Sequence, residues 1–151
     1  MFKHILLPTD GSKLSEKAAK QAISIAQTAG AKITAINVVN TYHLPHLKED
    51  EGFLMPEIPV LRKRYEEAEA VLAKRILGRI QEAARKAGVS CDAFAPASGV
   101  PHEAIIKQAV KSKCDLIVMA SHGRRGLEGI LLGSETQKVL THSKIPVLVC
   151  R

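Results

Sequence analysis

Ala120-Ser-His-Gly-Arg-Arg-Gly-Leu-Glu-Gly-Ile-Leu-Leu-Gly-Ser134 follows a solid apolar run, Leu116-Ile-Val-Met119, and precedes a helically patterned segment, Glu135 to His142. A strand, a glycine-rich loop with two arginines and a helix start together make an anion site. Glycines let backbone N–H groups approach a phosphate with no Cβ in the way, and the helix N-terminus supplies unpaired donors and partial positive charge. The fold follows from asking what scaffold carries such a loop.

Upstream, Phe2 to Leu7 is a short apolar run closed by Pro8, which suits a buried strand with a sharp exit. Thr9-Asp10-Gly11-Ser12 reads as a turn with Ser12 as an N-cap. Leu14, Ala18, Ala22, Ile25, Ala26 and Ala29 recur at helical spacing, and Gly30 closes that helix. Ile33 to Val39, rich in β-branched residues, is a second strand, so the first three elements form a βαβ unit with parallel strands.

Residues 41 to 59 read as a long loop, with Pro45, Pro56, Pro59 and Gly52. His43-x-x-His46 lies there near three carboxylates, but the spacing matches no zinc signature and is given no ligand role. A long helix follows with Leu61, Tyr65, Ala68, Leu72, Ile76, Ile80, Ala84 and Ala87 on one face and charges on the other. Ser90 to Ser98 is a weaker strand. Pro101 and Glu103 suit the first turn of the next helix, whose stripe is Ile105, Ile106, Ala109 and Val110. Asp115 to Ala120 is the strand that feeds the opening loop. Ile145 to Val149 is the last strand.

This alternation predicts an α/β fold: one domain over residues 1–151, an open, five-stranded, mostly parallel, doubly wound sheet with helices on both faces. Ligands on such sheets bind beyond the carboxyl ends of the strands, where strand order reverses. Pro8-Thr9-Asp10 and Met119-Ala120 both fall on that rim. The chain's 151 residues suffice for one core, and 46% hydrophobic with 25% charged residues is the balance of a soluble globule. No apolar run reaches the roughly 20 residues of a membrane span, and the N-terminus lacks the marks of a signal peptide, so a cytoplasmic location is expected.

Three scattered cysteines, Cys91, Cys114 and Cys150, make no CxxC and read as small buried hydrophobes, with a redox thiol at Cys150 as the alternative. The net charge of +7 favours anionic partners. Nucleic acid is disfavoured, because five Phe and Tyr residues and no Trp leave few stacking platforms, and the basic residues are interleaved with Glu.

The loop is neither a Walker A motif, which would need a lysine before Ser134, nor a G-x-G-x-x-G fingerprint. It offers Gly123, Gly126, Gly129 and Gly133-Ser134, with Arg124 or Arg125 adding charge. Ser134-Glu-Thr-Gln137 is also a capping box, so the Ser134 hydroxyl either caps its own helix or holds a phosphate oxygen. Asp10 either accepts from ribose hydroxyls or closes an Asx-turn. His122 reads as a loop hydrogen-bonder.

The chain resembles the universal stress proteins of the small single-domain type, from end to end. Lys3-His-Ile-Leu-Leu-Pro-Thr-Asp-Gly-Ser12 is similar to the family's first strand and turn, and Ser143-Lys-Ile-Pro-Val-Leu-Val149 to its last strand. Between them lies the family's nucleotide motif G-x2-G-x9-G-[ST]. Gly123, the nine residues Arg124 to Leu132, Gly133 and Ser134 match it, whereas its first glycine is replaced by Ala120. The resemblance implies a Rossmann-like, adenine nucleotide alpha hydrolase-like fold that binds ATP, AMP or ADP, with Mg²⁺ or Mn²⁺ carried by the phosphates. By the same resemblance Asp10, beside Thr9, contacts the ribose or adenine edge and Pro8 and Val38 flank the adenine. Met119 and Ala120 line the pocket, and Gly123, Gly133, Ser134, Glu135 and Thr136 hold the phosphates, mostly through backbone. It further implies a homodimer paired through the C-terminal strand, residues 146–150. The chain is read as a nucleotide-responsive stress module with at most slow ATP hydrolysis. The alternatives are a protein-interaction module that binds no nucleotide, or an ATP-activating enzyme of the same fold.

Overall fold

The computed structural model describes residues 1–41, 58–123 and 132–151. The two histidines of the proline-rich stretch, His43 and His46, lie outside the described residues, as do Arg124, Arg125, Gly126 and Gly129.

The elements run β1 (His4–Pro8), α1 (Lys13–Ala29), β2 (Lys32–Ile36), β3 (Val39–Asn40), α2 (Ile58–Lys86), β4 (Cys91–Phe94), β5 (Ala97–Ser98), α3 (Pro101–Lys111), β6 (Leu116–Ala120), α4 (Ser134–His142) and β7 (Val147–Cys150). Five strands form one sheet in the order β4-β2-β1-β6-β7, with every adjacent pair parallel. The predicted parallel, doubly wound sheet is therefore observed. The chain winds outward from β1 through β2 to β4, then returns to β6 beside β1 and winds the other way to β7. Strand order reverses between β1 and β6, which leaves a crevice at their carboxyl ends.

Side-chain alternation along the strands sorts the core into two layers. Ile5, Leu7, Ile33, Ala35, Leu116 and Val118 pack under α1 and α2. Leu6, Ile36, Ile117 and Met119 pack under α3 and α4 with Ile105, Ala109 and Val139. Fully burying one such side chain, Ile5 for example, contributes about 2 kcal/mol. On α1, Ala18, Ala22 and Ala26 are wholly buried, so this helix lies close to the sheet. Ser12 caps it, its hydroxyl accepting from Ser15 N at 3.2 Å, and Gly30 ends it at φ 65°, which a side chain would strain.

Three predicted elements come out differently. The run 33–39 breaks after Ile36, because the buried Asn37 amide donates to the Thr9 carbonyl at 2.9 Å and turns the chain; Val39 and Asn40 then pair with Ala97 and Ser98 in a separate two-stranded parallel annex. The run 90–98 breaks at Pro96, which has no N–H to give a ladder, although its carbonyl accepts from Val39 N. The long helix begins at Ile58, ahead of the predicted loop end at 59, and buries less of its stripe than the pattern suggests: Ala73, Ile76, Leu77, Ile80 and Ala84 are buried, whereas Leu61 and Ala68 are exposed. Length explains this. Twenty-nine helical residues span about 43 Å, whereas a five-residue strand spans about 17 Å. The N-terminal half of α2 consequently overhangs the carboxyl rim.

The thiols are free, with Cys114 and Cys150 buried and Cys91 half-buried. Burial pushes Cys91 and Cys114 up to about 11 and raises Cys150 too. A buried neutral thiol is a poor nucleophile. The redox alternative for Cys150 therefore gains no support from its surroundings.

Candidate functional site

A cleft of about 850 Å³ opens at the crevice between β1 and β6. Pro8, Thr9, Asp10, Val38, Met119 and Ala120 line it, and so do Gly123, Gly133, Ser134, Glu135 and Thr136. Every predicted site residue within the described chain thus reaches one cavity; Arg124 lies outside the described residues. The cleft also takes in residues not singled out from sequence. Asn37 follows β2 and Asn40 closes β3, while Tyr65 and Glu69 come from the overhanging half of α2 and Pro101 from the start of α3. Asn37 carried a signal, a polar residue inside an otherwise apolar run. Tyr65 and Glu69 carried none: Tyr65 stands on the apolar stripe of the helix, which reads as core, and Glu69 on its charged face, which reads as solvated.

The β1 side of the rim is built by short hydrogen bonds. Thr9 N donates to Ile36 O at 2.9 Å, and the Thr9 hydroxyl accepts from Gly11 N at 3.2 Å. Asp10 Oδ1 accepts from Ser12 N at 2.9 Å, so the Asx-turn is formed. Asp10 Oδ2 lies 2.5 Å from where a Cβ on Gly123 would be. Gly123 is required here for space, and its absent side chain is what lets the two halves of the rim touch.

On the β6 side, Ser121 N donates to Cys150 O at 2.8 Å and Gly133 N donates to Ser121 O at 2.7 Å, which folds the end of the loop back onto the strand. A Cβ on Gly133 would lie 3.1 Å from His122 Cα and 3.3 Å from its Cβ. His122 Nδ1 lies 3.1 Å from the Ser121 hydroxyl, a local loop bond as expected.

Gly133 is the N-cap of α4, and as a glycine it has no side chain to cap the helix. The capping-box reading of Ser134 is corrected accordingly. Ser134 is the first helical residue, one place too late to cap, and it is exposed. The first-turn N–H groups of α4 have no intrahelical acceptor, and they open onto the cleft with the positive end of the helix dipole. The Thr136 hydroxyl is committed elsewhere, donating to Ala120 O at 3.1 Å, so this residue offers the cleft its backbone.

The Glu135 carboxylate is also turned to another task. Oε2 accepts from His102 N at 2.8 Å and lies 3.2 Å from His102 Nδ1, while Oε1 accepts from Lys138 at 3.1 Å. Val100, the N-cap of α3, makes no side-chain cap bond, so Glu135 caps α3 from the neighbouring helix. Partial burial pushes the Glu135 carboxyl up. The hydrogen bonds from Lys138 and His102 outweigh it and hold the group below the usual carboxylate range.

Ala120 stands where the family motif has glycine. Its methyl packs in the core layer under α1, and the residue is 7% exposed. Among the described residues only Lys113 is a non-glycine with positive φ, so Ala120 sits in ordinary strand backbone. The methyl thus adds to the core layer.

Comparison with known proteins identifies the family and the fold. The family model described as the universal stress protein family matches residues 1–151. A universal stress protein of Methanocaldococcus jannaschii is 37% identical over 152 residues, covering all of this chain and 83% of the relative. The solved structure of a universal stress protein from Lactobacillus plantarum superposes with a TM-score of 0.81 at 26% identity, over 99% of this chain and 97% of that one. A universal stress protein solved in complex with cAMP shares the fold, with a TM-score of 0.65 at 23% identity over 98% and 95% of the two chains. Among the described residues no helix is long and apolar enough to cross a membrane. By sequence from end to end, and by the parallel sheet and rim that the sequence builds, this chain belongs to the universal stress protein family.

Proposed function

We propose that this protein binds an adenine nucleotide, ATP or AMP, in the rim cleft and acts as a nucleotide-responsive module of the stress response in the cytoplasm. The observation that carries the reading is the opening of α4. Its N-cap, Gly133, has no side chain to cover the first-turn N–H groups, and they face a cleft whose opposite wall presents Asp10. In this reading the backbone at Gly123, Gly133, Ser134, Glu135 and Thr136 holds the phosphates, with Arg124 adding charge. Asp10 Oδ2 accepts from ribose hydroxyls, while Pro8, Val38 and Met119 wall the adenine. The cleft volume lies within the several hundred Å³ that small-molecule sites provide.

Mg²⁺ or Mn²⁺ enters this reading with the phosphates. Among the described residues no three His, Cys, Asp or Glu side chains converge to hold an ion by themselves. Such hard ions keep most of their water and are often held through phosphate oxygens, where they neutralise charge. Hydrolysis in this reading is at most slow, and the protein's output is the bound state itself. We further propose a homodimer that pairs through β7, an edge strand of the sheet, with the exposed Leu148 at the contact.

Calorimetric titration with ATP, ADP, AMP and cAMP, each with and without Mg²⁺ or Mn²⁺, tests the reading. Saturable binding that Gly133→Asp abolishes supports it, since the new side chain crowds His122 and sets a negative charge at the helix opening. Wild-type protein that binds none of the four nucleotides overturns it.

A further inference from the structure

The α3–α4 contact brings together two histidines that do not line the cleft. His102 lies in the first turn of α3 and His142 is the last residue of α4. Their ring centroids are 5.6 Å apart, with the planes tilted by 47°.

In each ring one nitrogen is already committed. His102 Nδ1 faces Glu135 Oε2 at 3.2 Å, and His142 Nδ1 faces the Lys138 carbonyl at 2.8 Å and, at 2.9 Å, the Thr141 hydroxyl, which itself donates to Gln137 O. A carboxylate and a carbonyl only accept, so Nδ1 carries the proton in both neutral rings and Nε2 keeps its lone pair. A metal-binding imidazole has this arrangement. The acceptor behind Nδ1 fixes the tautomer and ring orientation and raises the basicity of the ligating nitrogen. Here a carboxylate backs one ring and a helix carbonyl the other.

The separation suits one shared ion. A Zn–N bond of about 2.0 Å, with roughly 1.1 Å from nitrogen to ring centre, places an ion about 3.1 Å from the centroid of each ring that holds it. Two rings on one ion then stand at most about 6.2 Å apart, and the observed 5.6 Å lies inside that reach.

We propose that His102 and His142 form a two-histidine site for a divalent transition ion, zinc in the first instance, that bridges α3 and α4. Imidazole nitrogen selects zinc, copper or nickel over magnesium and calcium, so this site is chemically separate from any ion that travels with nucleotide phosphates. No third His, Cys, Asp or Glu converges on the pair among the described residues, and water completes the coordination. Glu135 contributes negative charge behind the site and Lys138, 3.1 Å from Glu135, offsets part of it. The bridge fastens α3 to the helix whose first turn opens onto the cleft.

The test is calorimetric titration of nucleotide-free full-length protein with Zn²⁺. The proposal expects a site that His102→Gln and His142→Gln each weaken tenfold or more, that the double variant weakens no further, and that His122→Gln leaves unchanged. His142 is exposed, so its variant tests the site without disturbing the core. Zinc can also seat on other histidines or cysteines, and Cu²⁺ electron paramagnetic resonance separates these cases. Coupling to two nitrogens in the wild type that falls to one in either variant identifies the pair. Zinc affinity and copper spectra unchanged in both single variants overturn the proposal.

Discussion

The Asp10 carboxylate fills the space that a side chain on Gly123 would occupy: a Cβ there would fall 2.5 Å from Asp10 Oδ2 and 3.4 Å from its Cγ. The residues belong to different halves of the rim, one after β1 and one after β6. Their contact closes the crevice at the reversal of strand order into a single cleft.

Gly123→Ala must therefore displace the carboxylate or the loop. With Asp10 moved, nucleotide affinity should fall by about tenfold, or roughly 1.4 kcal/mol. Melting temperature should change little, because Gly123 is exposed. Asp10→Ser removes the atoms that collide, so the double variant should bind no more weakly than Asp10→Ser alone. Calorimetry on the four proteins of this cycle checks it, and additive losses would contradict the contact as the cause.

Ala120 makes the opposite prediction to the one its place in the motif suggests. Restoring the family's glycine should not tighten nucleotide binding, because the Ala120 methyl faces the core layer under α1. Ala120→Gly should cost about 1–2 kcal/mol of stability, from the lost buried methyl and the looser unfolded chain. Urea unfolding and nucleotide titration of the same variant separate the two effects. A gain in affinity would show that the methyl crowds the cleft after all.

Much of this fold was legible because the strands alternate faithfully: Ile5 and Leu7 go to one layer and Leu6 to the other. The rim was legible because both candidate loops follow strands that can be ordered from the βαβ connections. What was hidden depends on contacts distant in sequence. Ser134-Glu-Thr-Gln137 has the residues of a capping box, yet the Gly133 N–H bonds to Ser121 O and starts the helix one residue earlier. Glu135 directly follows the motif's Ser134, but its carboxylate caps α3, a partner 33 residues away. Tyr65 and Glu69 enter the cleft because α2 outreaches the sheet, which depends on where its C-terminal half docks. Spacing within a helix does not encode that.

The far end of the sheet gives a prediction about acid. His4 is 6% exposed and its Nε2 lies 2.8 Å from the Thr34 hydroxyl. Burial, followed by the charge of Lys32, holds its pKa below the ordinary 6.5. The unfolded chain then binds a proton at His4 before the folded chain does. Stability from this residue is complete above about pH 6.5 and declines as pH falls from there to the folded-state pKa, by at most about 1.4 kcal/mol per pH unit. Urea unfolding across that window should show a slope that His4→Gln reduces by up to one proton. An unchanged slope in the variant would rule out His4 as its source.

The proposed dimer can be broken without touching the sheet's own ladder. The carbonyls of Pro146 and Cys150 accept from Ile117 and Ser121 on the β6 side. Backbone groups alternate in direction along a strand, so those of Val147 and Val149 point away from β6 to the open edge. Proline at such an edge position removes an outward N–H and leaves the inward ladder intact. Val149→Pro should shift the protein from dimer to monomer in sedimentation velocity, with its circular dichroism unchanged. Nucleotide affinity should stay within about twofold (0.4 kcal/mol) of the wild type, because β7 does not line the cleft. A Val149→Pro protein that remains folded and dimeric would place the contact on another face.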